Sequence, residues 1–286
     1  MKSRKRLIKL SKIFGIILIA WLVFAQSCVQ FRIADSKAKK QFADKGVTLF
    51  TENVTVDGFN MHYAKTGNDT FPTLLFIHGS PGGWNAFTQY MMDSALLAHY
   101  RMISVDRPGF GDSEFGNAKN LQEQSDLISP LMQLWKNGKP AYVIGHSLGG
   151  PIAVKLAADN PEYFSGVILL AGSVDPSEEK PEKWRPVLYK TPLKFLLPGA
   201  FRPSNKELWF LKKDLKLLKE DFTKVSCPVW IIHGDKDNMV PVGNAAYAKQ
   251  MLIHSSHVET KILPGSGHFI PWDHYKDIKE VLMKLE

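Results

Sequence analysis

Ser147 lies in the run GHSLGG, residues 145–150, with Gly145 and Gly149 two positions to either side. A serine hydroxyl becomes a nucleophile only when a base takes its proton, and the base needs an acid that fixes its tautomer. The chain holds nine histidines. His268, in LPGSGHF, sits in a turn after the stretch VETKIL and is the last loop histidine before a final helix expected from about His274. His78 and His146 lie in glycine-containing loops, His233 ends an apolar run, and His254, His257 and His274 have no comparable setting. Three acids are candidates for the partner: Asp235 and Asp237 in HGDKDNMVP, and Asp175 in AGSVDP, all following short apolar runs. Serine, histidine and carboxylate together permit acyl transfer, which also needs N–H donors aimed at an oxyanion. The backbone N–H of Leu148, directly after the serine, is one such donor.

These residues need elements to hold them. VTLFTENVTVDGFNMHYAKTG, from Val47, is rich in β-branched and aromatic residues, and Asp57-Gly58 marks a hairpin turn within it. Apolar runs of strand length follow at 73–79, 102–109, 141–147, 166–172 and 228–234, with VETKILPGSGH (258–268) after them. Helical patterns alternate with them at 121–138, 149–164 and 244–255 and from about His274; Pro130 is a local flaw in the first and Gly138 its stop. Apolar strands interleaved with helices predict an α/β fold, a mostly parallel sheet with helices on both faces. Ser147 then falls where the strand AYVIG meets the helix GGPIAVKLAA. A residue at such a turn is held in a strained backbone conformation that lifts its side chain above the sheet edge. The helix N-terminus beyond it favours negative charge.

Over roughly residues 47–286 the chain resembles the α/β-hydrolase family, in its serine hydrolase, esterase/lipase-like branch. GHSLGG is similar to that family's nucleophile elbow, followed in chain order by an acid and then a histidine. The resemblance implies Ser147 as nucleophile, His268 as base and Asp237 as acid, with Asp235 a turn residue and Asp175 the position some members use instead. It places the second oxyanion donor at the backbone N–H of Ser80 in HGSPGGW; Pro81 has no N–H to offer. DRPGFGDS (106–113) resembles a scaffold loop of the family in which Asp106 bonds locally. The stretch of about 176–225 breaks the strand–helix rhythm and is expected to form a small helical cap. Within it, PSNKELWFLKKDLKLLKEDF (203–222) places Ser204 and Glu207 in capping-box spacing and Leu208, Leu211, Leu215, Leu218 and Phe222 on one face. Trp184, Leu188, Phe195, Leu196 and Leu197 are candidates to line an acyl pocket. The implied activity is hydrolysis of a small-molecule carboxylic ester, with no metal or organic cofactor. HGSPGGW is also similar to loops of proline iminopeptidases, which makes an exopeptidase the alternative, and a non-catalytic ligand receptor on the same scaffold is a third reading.

The N-terminus bears on location. Lys2, Arg4, Lys5, Arg6, Lys9 and Lys12 precede the apolar run Ile13–Ala25. As a helix that run covers roughly 20 Å, short of the roughly 30 Å hydrocarbon core of a bilayer. A basic head, a short apolar run and small residues make a secretory signal, and AQSC at 25–28 resembles a bacterial lipoprotein signal in which Cys28 takes the lipid. An uncleaved signal anchor and a plain signal peptide are the alternatives. The expected organisation is a signal peptide at 1–27, lipidated Cys28 with a tether through 46, and a hydrolase domain over 47–286, held at the membrane of a bacterial cell envelope. Much of the net charge of +8 sits in the basic head. Without it about +2 remains, which argues against a nucleic-acid partner. Cys227, the only other cysteine, opens an apolar run and reads as a core residue.

Overall fold

The computed structural model describes residues 2–285; Met1 and Glu286, the outer ends of the expected signal segment and hydrolase domain, lie outside the described residues. The strands are β1 (Phe50–Val56), β2 (Phe59–Thr66), β3 (Thr73–Ile77), β4 (Arg101–Val105), β5 (Ala141–His146), β6 (Gly166–Leu170), β7 (Val229–Gly234) and β8 (Val258–Leu263). They form one sheet in the order β1-β2-β4-β3-β5-β6-β7-β8. β2 runs antiparallel to β1 and β4, and the strands from β4 to β8 along that order are parallel. β1 and β2 meet in a two-residue turn. Asp57 and Gly58 both have positive φ there, at 48° and 78°, as a type I′ turn requires. β3, β4, β5 and β6 are buried along their whole length, as strands covered on both faces must be.

Two apolar layers flank the sheet. One packs Ile128, Leu131 and Met132 of the helix Leu121–Trp135 and Ile152, Ala153 and Leu156 of the helix Gly149–Asp159 against Leu75, Val143 and Leu169. The other packs Phe87, Tyr90, Ile278 and Leu282 against Phe76, Ile144 and Ile168. The helix at 121 begins with a reciprocal cap: Asn120 Oδ1 accepts from Glu123 N–H at 2.9 Å, and Glu123 Oε2 accepts from Asn120 N–H at 3.0 Å. It ends at Trp135, three residues before Gly138, because the Asn137 side chain donates to the carbonyls of Asp69 and Phe71 and draws the chain out of the helix. The helix at 149 ends at Asp159, earlier than the expected 164, since Asn160 precedes Pro161 and is pushed out of helical conformation.

Between β6 and β7 lies the helical insertion: helices Arg185–Lys190 and Phe201–Leu218, with short 3₁₀ turns at Pro192–Leu196 and Asp221–Lys224. Leu211, Leu215, Leu218 and Phe222 face the core. Ser204 and Glu207 do not form a capping box. The long helix begins earlier, at Phe201, so both lie inside it, and Glu207 is spent on an ion pair with Arg107.

The N-terminal segment departs from the expected tether. Residues Lys2–Ser27 form one helix, about 39 Å long at 1.5 Å per residue. Its Arg4–Ser27 part is long and apolar enough to cross a membrane by length and composition. The thirteen-residue run alone therefore understates the helix, which draws in Leu7, Ile8 and Leu10 as further exposed apolar side chains. The segment after it is docked on the domain. Asp35–Ala43 is a helix that buries Ala38 and Phe42, and the Phe42 and Trp84 rings lie 6.2 Å apart. Cys28 and Cys227 are both free and half-buried; burial pushes the Cys227 thiol up to about 11.

Candidate active site

Ser147 sits directly after β5, at φ 55°, in the left-handed region. Its N–H donates to Leu170 O at 3.0 Å and its carbonyl accepts from Gly150 N–H at 2.9 Å, which fixes the turn between strand and helix. The turn leaves no room for side chains beside it. A Cβ on Gly145 would stand 2.2 Å from Gly149 O, and one on Gly149 would stand 2.2 Å from Ile77 O. The glycine spacing thus follows from close backbone approach, and the serine side chain is raised at the carboxyl edge of the sheet.

The structure brings Ser147, His268 and Asp237 into one hydrogen-bonded line. His268 Nε2 is 3.0 Å from Ser147 Oγ, and His268 Nδ1 is 2.7 Å from Asp237 Oδ2. With the carboxylate accepting, the network assigns the proton to Nδ1 and leaves Nε2 to accept from the serine. Asp237 Oδ1 accepts from the N–H groups of Met239 and Val240 at 2.9 and 2.8 Å, so the loop after β7 holds the carboxylate rigidly. Burial works to raise the Asp237 carboxyl. The His233 imidazole 3.6 Å away, the His268 hydrogen bond and the Val240 N–H outweigh it and hold the group well below the usual carboxylate range. Asp235 and Asp175 are occupied elsewhere: Asp235 accepts from Gly265 N–H at 2.7 Å, and Asp175 from Ser177 N–H at 2.7 Å.

The loop after β3 runs beside the serine. A Cβ on Gly79 would stand 2.9 Å from Ser147 Cβ. The Gly79 carbonyl accepts from His78 Nδ1 at 2.7 Å and from Arg107 Nη2 at 2.9 Å. In a trans peptide the N–H points opposite to the C=O, so these bonds turn the Ser80 N–H away from Arg107. His78 Nε2 accepts in turn from the Arg107 N–H at 3.0 Å. Burial and the neighbouring Arg107 charge hold His78 well below its ordinary value, which keeps it neutral for this double role. Burial, with His268 beside it, likewise pushes His146 down to about 3. Asp106 is buried and accepts from Trp84 N–H, Asp112 N–H and His62 Nδ1, the local scaffold role expected of it.

Arg107 itself was invisible to motif reading. Its guanidinium makes two parallel bonds to Glu207, at 2.8 and 3.0 Å, and reaches Gln124 Oε1 at 3.0 Å, all buried. It thereby ties the long cap helix to the loop that carries Ser80. A second tie is the 2.8 Å hydrogen bond between the Ser80 and Ser204 hydroxyls.

Ser147 and His268 open into a cavity of about 350 Å³. Its apolar walls are Phe31, Phe201, Met239, Phe269 and Trp272. Trp184, Leu188, Phe195, Leu196 and Leu197 do not line it, a correction to the acyl-pocket expectation. The cap contributes only Phe201, and the N-terminal segment is bonded to the cap just before it: Ala25 and Val29 carbonyls accept from Gly199 and Ala200 N–H at 2.7 and 2.9 Å. Nothing in the sequence of 28–34 signals that Phe31 reaches this cavity. Asp35, His62 and Asp112 offer ligand atoms within 4.8 Å of one another, as a metal ion would need. None lines the cavity, and Asp112 is already paired with Arg32.

A family model for the α/β-hydrolase fold matches residues 72–205, and one for phospholipases and carboxylesterases matches 212–286. The chain belongs to the α/β-hydrolase family. The chain is 34% identical to an uncharacterized hydrolase of Bacillus subtilis, over 42% of this chain and 43% of that protein, so the match spans less than half of that relative. It is 24% identical to a 2-hydroxy-6-oxononadienedioate/2-hydroxy-6-oxononatrienedioate hydrolase of Burkholderia vietnamiensis, over 82% of this chain and 93% of that one. Among solved structures, a putative lipase of Acinetobacter baumannii superimposes with a TM-score of 0.63 at 19% identity, covering 88% of this chain and 97% of its own, a likeness of fold.

Proposed function

We propose that this hydrolase cleaves carboxylic esters through an acyl-enzyme on Ser147. The observation that carries the reading is the line Ser147 Oγ–His268–Asp237, with contacts of 3.0 and 2.7 Å, at the floor of an apolar cavity. His268 Nε2 takes the Ser147 proton as Oγ bonds to the ester carbonyl carbon. The N–H groups of Leu148 and Ser80 stabilise the oxyanion. The C–O bond to the alcohol breaks as His268 returns the proton to the leaving oxygen. Water, deprotonated by His268, then releases the acid and restores the serine hydroxyl. Asp237 stays ionised and stabilises the imidazolium in both halves.

The cavity walls favour an ester over the alternatives. An exopeptidase must hold a substrate ammonium, and a dioate must be met by cations; among the described residues no Asp, Glu, Lys or Arg lines the cavity. We also propose lipidation at Cys28 and residence in a bacterial cell envelope. The basic head, the apolar helix and AQSC support that location. The test is an assay of the purified full chain with p-nitrophenyl esters of graded length beside proline arylamides. Esters are expected to turn over and arylamides to remain intact; preference for the arylamides would transfer the site to the exopeptidase reading.

A further inference from the structure

The walls of the Ser147 cavity do not close over it. Phe31, Phe201, Met239, Phe269 and Trp272 line the cavity and are also 38–62% exposed. Five large apolar side chains at one mouth form a contiguous patch of the kind that soluble surfaces avoid unless something covers it. The surroundings identify the cover. The helix Lys2–Ser27, apolar and exposed around most of its surface, docks with its C-terminal end on the cap beside this mouth. Trp21 Nε1 donates to Leu196 O at 3.0 Å, Gln26 Nε2 to Phe195 O at 2.8 Å, and Arg202 Nη1 to Gln26 Oε1 at 2.7 Å. Phe31 is three residues beyond Cys28, a reach of at most about 11 Å. Whether the chain is held by its helix or by a lipid on Cys28, the anchor leaves the protein next to the cavity mouth.

The cap around that anchor has the chemistry of a lipid–water interface. Residues 186–206 hold Lys190, Lys194, Arg202 and Lys206 and no acidic residue; Arg185, just before them, is paired with Glu182. Three of these cations lie over aromatic rings of the same stretch: Lys190 over Tyr189, and Lys194 and Arg202 over Phe195, at 5.2–5.7 Å from the ring centroids. Leu193 and Phe195 are exposed beside them. Exposed apolar side chains interleaved with cations are held by insertion into the acyl boundary and by attraction to anionic headgroups.

We propose that the cavity mouth lies against an anionic bilayer and that the esters it takes are acyl lipids drawn directly from that bilayer. The proposal rests on the ester reading above and names its substrate class. An acyl chain leaving the bilayer would pass between Phe31, Phe201, Phe269 and Trp272 to Ser147 without crossing water. The ester bond is cleaved as already described, giving a free fatty acid and the lysolipid alcohol.

The experiment uses the full chain reconstituted in phosphatidylglycerol vesicles. Fatty-acid release from the vesicle lipid and turnover of water-soluble p-nitrophenyl butyrate are measured on the same sample. The variant carries Leu193→Ser, Lys194→Glu and Phe195→Ser, positions that do not line the cavity. It is expected to keep p-nitrophenyl butyrate turnover within about twofold and to lose at least about tenfold in fatty-acid release, as weakened interfacial binding requires. Equal fatty-acid release by variant and wild type would overturn the proposal, as would a wild type that turns over p-nitrophenyl butyrate and releases no fatty acid. A wild type inactive on both would remove the ester reading itself. Should the variant fold poorly, the wild type decides: raising salt to roughly 0.5 M should slow release from phosphatidylglycerol vesicles severalfold and leave p-nitrophenyl butyrate turnover unchanged. Release that ignores salt would contradict the charged part of the interface.

Discussion

At the scale of single residues, the proposed mechanism depends on which carboxylate serves His268. Asp237 Oδ2 is 2.7 Å from His268 Nδ1, and its other oxygen is held by two backbone N–H groups. Asp237→Asn leaves hydroxyl and imidazole in place but presents an amide that favours the wrong tautomer. It should lower kcat by roughly 10⁴, whereas Asp235→Asn and Asp175→Asn should change it little. Steady-state kinetics on the three variants checks this, and a large loss at Asp175 alone would contradict it. Ser147 and His268 stand out in the sequence because a strand–turn–helix junction and a late loop histidine are local patterns. The choice among three aspartates is not local: it needed a family resemblance, because each follows an apolar run and only tertiary geometry separates them. Phe31 and Trp272 carried no signal at all, since a cavity wall is set by which distant segments meet.

At the scale of elements, two ionic contacts, one buried and one half-exposed, tie the insertion and the N-terminal segment to the sheet. Arg107 and Glu207 are paired with both side chains out of water. Glu207→Ala would strand a buried guanidinium, at a cost of about 3–5 kcal/mol. The urea midpoint should fall accordingly, and an unchanged midpoint would show that the pair is not the tie described. The alternation of strands and helices was readable from apolar periodicity, but Glu207 at capping-box spacing was misleading, because a helix start four residues earlier converts a cap into a partner for Arg107. The second contact is His62, which bonds Asp106 and faces Asp35 of the N-terminal segment at 3.5 Å, with Asp112 and Arg32 nearby. Burial opposes its protonation, yet the Asp106 hydrogen bond and the charges of Asp106, Asp35 and Asp112 raise it above the ordinary 6.5. A raised histidine stabilises the fold fully below the unfolded value and loses that contribution as pH climbs through the folded one. Thermal stability should therefore decline as pH rises above about 6.5, and His62→Gln should flatten that part of the profile. Identical pH profiles for the two proteins would contradict the assignment.

At the scale of the whole molecule, residues 28–46 are part of the architecture. Phe42 fills the core against Trp84, Phe31 walls the cavity, and the apolar helix leaves from the same side. The sequence of 28–46 reads as polar and mixed in charge because only two of its side chains, Ala38 and Phe42, are buried; most of the others are exposed. Under the proposed location, Cys28→Ser should leave the protein unprocessed or release it to the soluble fraction. Metabolic labelling with a fatty-acid analogue should mark the wild type and not the variant. A wild type that stays in membranes without label would make the helix itself the anchor.

The claim on which the rest stands is that Ser147 is a nucleophile activated by His268. Exposure of the full chain to a fluorophosphonate probe, followed by peptide mass analysis, reads this directly. The account predicts one covalent adduct, on the peptide carrying Ser147, absent in Ser147→Ala and slowed by roughly 10³-fold or more in His268→Ala. A wild type that takes no label, or a Ser147→Ala variant labelled as fast as the wild type, would contradict it.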